Sequence, residues 1–239
     1  MRDTAAAPRV RLYELVLANG RSASPFVWRI RYALAHKGIA YESVPLGFIE
    51  IPKVFGGRFK TVPVLEHGET MMAESWDIAE YLDRAFPERP LFSGPAERAM
   101  VRLVDAWLLV EFVRKVLPVY VLDVHDGARP EDRPYFRRTR EARFNATLEA
   151  YTADRAARIP AVRQALEPLR LQLARQPYLG GSSPNFADYM VLGFFQWVTS
   201  IATVPLLARD DEVLRAYFER GFDLYGGLGR ITPMRPIFE

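Results

Sequence analysis

Residues 86–95, FPERPLFSGP, hold three prolines and a glycine in ten positions, and no helix or strand runs through such a stretch. The chain is therefore expected to fold as two parts that meet there. The parts read differently. Strands and helices alternate before the break, and only helices follow it. At 239 residues the chain can hold two small domains or one large one, and it can bury about 70–75% of its unfolded surface. We expect domains over residues 8–87 and 95–230, with 231–239 as a C-terminal tail.

In the first part, residues 10–17 (VRLYELVL) have the β-branched and aromatic content of a buried strand, closed by the turn signal Asn19-Gly20. Residues 24–38 (SPFVWRIRYALAHKG) follow as a helix with both ends marked. Ser24 is a good N-cap, Pro25 suits the first helical position, and Gly38 can adopt the left-handed conformation that ends a helix. Val27, Ile30 and Leu34 form its apolar face, and His36 and Lys37 place positive charge at the C-terminal end of the dipole. A second strand over residues 40–46 completes a βαβ unit with parallel strands. An irregular connector containing Gly56-Gly57 leads to two short strands, 62–66 and 69–72, joined by His67-Gly68 as a tight hairpin. Residues 75–85 close this part as an amphipathic helix.

Beyond the break the spacing predicts helices over residues 96–124, 134–158, 161–175, 189–208 and 210–225, with a kink at Pro118. Residues 189–208 are apolar enough to suggest a membrane span. Gln196, Thr199, Ser200, Thr203 and Pro205 interrupt them, and Asn185 and Asp188 precede them as a capping-box pair. We read this segment as the buried central helix of the second part, not as a span.

The chain has no cysteine, which excludes disulfides, thiolate metal sites and a cysteine nucleophile. Its opening residues contain no apolar run of signal-peptide length, and we expect a cytoplasmic protein. A net charge of +3 points to no polyanion partner. The basic run at 133–143 (RPYFRRTREAR), flanked by Glu131 and Asp132 and interrupted by Glu141, reads as a solvated helix face, so no nucleic-acid partner is expected. Asp123, His125 and Asp126 invite a metal, but His36 and His67 belong to distant elements, and we expect no metal site.

Chemistry is suggested at three helix and strand starts. A helix N-terminus gathers free N–H groups and partial positive charge, so an anion beside Ser24 is favoured and a bound thiol there is pushed towards thiolate. Pro63 opens a strand directly after Val62, and in a thioredoxin-like arrangement a proline at that point is cis, with the peptide before it offering its backbone to a ligand lying alongside. Glu74 and Ser75 stand where a strand turns into a helix, with a carboxylate and free N–H groups suited to an amino acid's ammonium and carboxylate.

With Ser-Pro, Val-Pro and Glu-Ser in this order, the sequence resembles the glutathione transferase family over nearly its whole length. The resemblance implies an α/β thioredoxin-like N-terminal domain and an all-α C-terminal domain, usually assembled as a homodimer, with glutathione as co-substrate. It implies that Ser24 hydrogen-bonds the glutathione sulfur, that Val62 pairs with the cysteinyl backbone ahead of cis-Pro63, and that Glu74 and Ser75 hold the γ-glutamyl end. Lys53 or Arg58 would take the glycyl carboxylate. Ser22 and, more remotely, Tyr13 are alternative hydroxyl donors. An electrophile would bind between the domains, against the long helix after the break and the C-terminal tail, with Phe26, Trp107, Tyr120 and Trp197 as lining candidates.

SPFVWRIRYALAHKG, NFADY and RGFDLYGGLGR are similar to segments of the bacterial lignin β-aryl-etherases and their fungal relatives, glutathione transferases that open aryl ethers. Omega-class and glutaredoxin-like members place a cysteine before the proline. With Ser24 there, exchange through a protein thiol is excluded. The rival reading is a family member that holds a hydrophobic ligand without turning it over.

Overall fold

The computed structural model describes residues 9–230 and 234–239. Its N-terminal domain contains a four-stranded mixed sheet in the order β2-β1-β3-β4. β1 (Val10–Leu15) pairs parallel with β2 (Tyr41–Leu46) and antiparallel with β3 (Val64–His67), which pairs antiparallel with β4 (Thr70–Ala73). α1 (Pro25–Lys37) makes the crossover between the parallel strands, and α2 (Ser75–Ala85) follows the hairpin. This is a thioredoxin-like domain. The Val62–Pro63 peptide is cis, as the strand-opening proline predicts.

The second domain is helical. The expected helix at 96–124 is divided into α3 (Pro95–Trp107), a π-helical stretch at Leu108–Val113 and α4 (Arg114–Gly127). Its irregularity thus precedes Pro118, which lies inside α4. The expected helices at 134–158 and 161–175 become α5 (Arg133–Phe144), α6 (Leu148–Thr152), α7 (Arg155–Ala165) and α8 (Glu167–Leu173). Asn145 breaks the first of these by taking a left-handed conformation, and Thr147 caps the next by accepting the Ala150 N–H at 3.2 Å. Pro168 sits in the first turn of α8, where a missing N–H costs nothing.

α9 (Phe186–Ile201) is buried along its whole length. It starts from the Asn185–Asp188 capping box read in the sequence and stops before Pro205. Among the described residues no helix is long and apolar enough to cross a membrane. α10 (Glu212–Gly227) loses helical geometry at Leu224–Gly226. Of the tail, residues 231–233 lie outside the described residues. Beyond them, Ile237 accepts backbone hydrogen bonds from Leu206 and Leu207.

The two domains are joined chiefly through α1 and α9. α1 buries Val27, Trp28, Arg29, Ile30, Tyr32, Ala33, Leu34 and Lys37, more than one stripe, because α9 covers a face that a peripheral helix would leave to solvent. The approach is closest at Gly193. A Cβ there would stand 2.5 Å from the Pro25 carbonyl oxygen and 3.2 Å from the Arg29 nitrogen. Arg21, in the turn before α1, donates to the Thr199 carbonyl at 2.8 Å and to its hydroxyl at 3.0 Å. Ser200 Oγ donates to the Ser22 carbonyl at 3.2 Å.

Candidate functional site

Antiparallel pairing brings three chain segments to one end of the sheet. The C-terminal end of β1 lies beside the start of β3, and the end of β4 lies there too. The turn into α1, cis-Pro63 and Glu74 therefore converge.

Ser24 caps α1 in extended geometry, φ −110° and ψ 115°, with Oγ accepting the Val27 N–H at 3.2 Å. Pro25 supplies no N–H to the first turn. Because the helix engages an oxygen lone pair, the hydroxyl proton can be donated outward. Ser24 forms part of the wall of a cavity of about 410 Å³, together with Phe26, Lys60, Thr61, Val62 and Trp197. The wall continues onto the start of the π-helical stretch at Leu109 and onto α4 at Leu117, Val121 and Val124. Tyr135 and Thr61 bring the other two hydroxyls.

The expected residues divide into groups. Ser24, Val62, Phe26 and Trp197 meet in this cavity, with Pro63 next in the chain. Glu74 and Ser75 are outside its lining, at the neighbouring end of β4. Glu74 has φ 68° and ψ 113°, a conformation that costs a non-glycine residue about 1–3 kcal/mol and marks a position held by its surroundings. Ser75 is buried, and its Oγ accepts from Arg29 Nη1 at 3.4 Å. Ser22 and Tyr13 do not line the cavity. Tyr13 donates to Glu66 at 2.6 Å and packs edge-on against Phe55.

Trp107 and Tyr120 lie elsewhere. Trp107 lines a second cavity with Met100, Leu103 and Leu169. Tyr120 is fully buried, donates to the Val204 carbonyl at 2.9 Å and packs edge-on against Trp197. Lys53 and Arg58 are exposed on the connector, and neither reaches the wall. No described tail residue lines the cavity. Asp123, considered for metal binding, pairs with Arg155 at 3.0 Å and accepts from Thr203.

Several site residues were not anticipated from the sequence. Lys60 is on the cavity wall two residues before Val62. Arg29, 1% exposed, ties α1 to α2 through Ser75 and to α3 through Asp105 at 3.1 Å. Burial lowers its pKa and Asp105 opposes the shift. The sequence held no signal for it, since Arg29 lies on the side of α1 opposite Val27, Ile30 and Leu34, where a solvated arginine is the ordinary expectation. The basic run at 133–143 is not solely a solvated face. Arg137 turns outward to Glu141 and Glu149, while Arg140 and Arg143 line the cavity.

Family models describing the glutathione S-transferase N-terminal and C-terminal domains match residues 20–90 and 99–207. The chain belongs to the glutathione S-transferase family. Among curated glutathione S-transferases, omega-1 of Mus musculus is 28% identical over 188 residues, covering 77% of this chain and 67% of that protein. The glutathione S-transferase-like protein ustS of Aspergillus flavus is 26% identical over 215 residues, covering 78% of each. A glutathione S-transferase of Ceriporiopsis subvermispora, crystallised in complex with glutathione, superposes with a TM-score of 0.77 at 20% identity, covering 94% of this chain and 99% of that one. That likeness concerns the fold.

Proposed function

We propose that this chain is a glutathione transferase that stabilises the glutathione thiolate at Ser24 and directs it at an aromatic electrophile, with β-aryl ether cleavage as the specific reaction. The observation that carries this reading is Ser24 itself, which caps a helix with its oxygen and faces a largely apolar cavity beside the Val62–Pro63 peptide. Glutathione would lie with its cysteinyl backbone along Val62 and its γ-glutamyl end at Glu74 and Ser75. Lys60, which lines the same cavity, would take the glycyl carboxylate.

A free thiol of pKa about 8.5 is a few per cent ionised at neutral pH. Lowering that pKa by roughly two units requires about 2.7 kcal/mol of preference for the anion. A hydroxyl donating to a charged sulfur supplies about 1.5–3 kcal/mol, and a helix N-terminus about 0.3–1. The two together are of the required size. The thiol proton passes to solvent, a sulfur–carbon bond forms, and the ether bond breaks with its electron pair leaving on a phenolate. Ser24 donates a hydrogen bond throughout and needs no general base.

The test is phenol release from a β-aryl ether model compound, with and without glutathione, by wild type and Ser24→Ala. We expect glutathione-dependent release that falls at least tenfold in the variant, with the acid limb of its pH–rate profile shifted upward. Conjugation of 1-chloro-2,4-dinitrobenzene without phenol release would remove the ether reaction and keep the transferase. Inactivity on both would favour a binding protein.

A further inference from the structure

The cavity that holds Ser24 has an uneven charge. Lys60, Arg140 and Arg143 line it, and among the described residues no acidic one does. On the glutathione reading, Lys60 is occupied by the tripeptide, and the two arginines of α5 remain. Arg140 is partly buried, and its guanidinium lies 4.7 Å from the Phe136 ring centre and 5.7 Å from that of Phe48. Its hydrogen-bond acceptor is the neighbouring Thr139 hydroxyl at 3.0 Å. Neither Arg140 nor Arg143 forms an ion pair among the described residues, whereas Arg137 on the same helix is matched by Glu141 and Glu149.

Burial lowers the Arg140 pKa, Tyr135 opposes the shift, and the like charge of Arg143 adds to it. A partly desolvated guanidinium without a counterion is an unfavourable arrangement that an incoming anion relieves. The aromatic rings beside Arg140 restrict where its guanidinium can go, and an arginine fork suits two-pronged recognition of a carboxylate. Apart from the hydroxyls of Ser24, Thr61 and Tyr135, the rest of the lining is apolar, with Phe26, Phe144, Phe194 and Trp197 among it.

We propose that the acceptor is an aromatic carboxylate, its ring in the apolar part of the cavity and its charge held by Arg140 and Arg143. This rests on the transferase reading, which makes the bound carboxylate an acceptor and assigns Lys60 to glutathione. The two are separable by experiment.

Calorimetric titration with 2-naphthoate and with the neutral 2-naphthamide compares wild type with the Arg140→Gln/Arg143→Gln variant, in the presence of S-methylglutathione. We expect naphthoate to bind at least tenfold more tightly than the amide in wild type, and the ratio to fall below twofold in the variant. If the double variant does not fold, Arg143→Gln alone, an exposed position, must lower the ratio at least threefold. A ratio below twofold in wild type, or one that survives the substitutions, overturns the proposal. S-methylglutathione is titrated first by itself. Failure of that titration removes glutathione from the site, and the naphthoate comparison is then run without it and judged on the same ratios.

Discussion

Lys60 is where local sequence signals stopped being sufficient. Ser24 and Pro63 are legible because capping and strand-opening signals are carried by adjacent residues, whereas Ser75, a plausible cap by type, is the first residue of α2 and Glu74 holds the cap position. The choice between Lys53 and Arg58, and the omission of Lys60, turn on the path of a connector in which Phe55 and Gly56 take φ 60° and 63°, and no period predicts where its side chains point. We predict that Lys60→Gln raises the KM for glutathione about tenfold with kcat changed less than twofold, while Lys53→Gln and Arg58→Gln leave both within twofold. Initial rates over a range of glutathione concentrations check this. Trp107 and Tyr120 failed to reach the cavity for a different reason. They were named as aromatics of the long helix after the break with no face assigned to them, and that helix is interrupted by the π-helical stretch at Leu108–Val113.

Among the elements, α9 was the most legible, because its cap is written as two side chains three residues apart. Asp188 accepts backbone N–H groups from Leu179 at 2.8 Å and from Gly180 and Asn185 at 3.0 Å, and the Tyr217 hydroxyl at 3.1 Å. No cation pairs with it among the described residues. Burial therefore prevails over these donors and raises its pKa from 3.8 to about 6. The folded protein then binds this proton more tightly than the unfolded chain does. Stability from this group is fully present below about pH 4 and declines as pH rises to about 6, by on the order of 3 kcal/mol. We predict that urea unfolding of wild type shows this decline and that Asp188→Asn, at lower overall stability, loses it. An equal decline in the variant would sink the assignment. The segments after residue 133 were least legible, since Asn145 and the short caps between α5 and α8 break one amphipathic pattern without a proline or glycine at the first break.

For the whole molecule, the order of strands and helices was readable and so were the two halves, because alternation and its loss are properties of sequence. The way the halves meet was not. An apolar face on α1 says that something covers it, but not that a second helix covers the opposite side, and Gly193 carries no visible mark of its contact with Pro25. The seam in the sequence at residues 86–95 is thus not the seam in space. Anyone recombining this protein with a relative at that proline-rich stretch would separate Ser24 from the helix that braces its first turn. A chimera whose donated helical half brings alanine or a larger residue to position 193 should melt several degrees below either parent, and one that keeps glycine there with the threonine facing Arg21 should not. Thermal melts of the two chimeras decide it. Crossover points for this architecture are better chosen by which helices must travel together than by where the chain is easiest to cut.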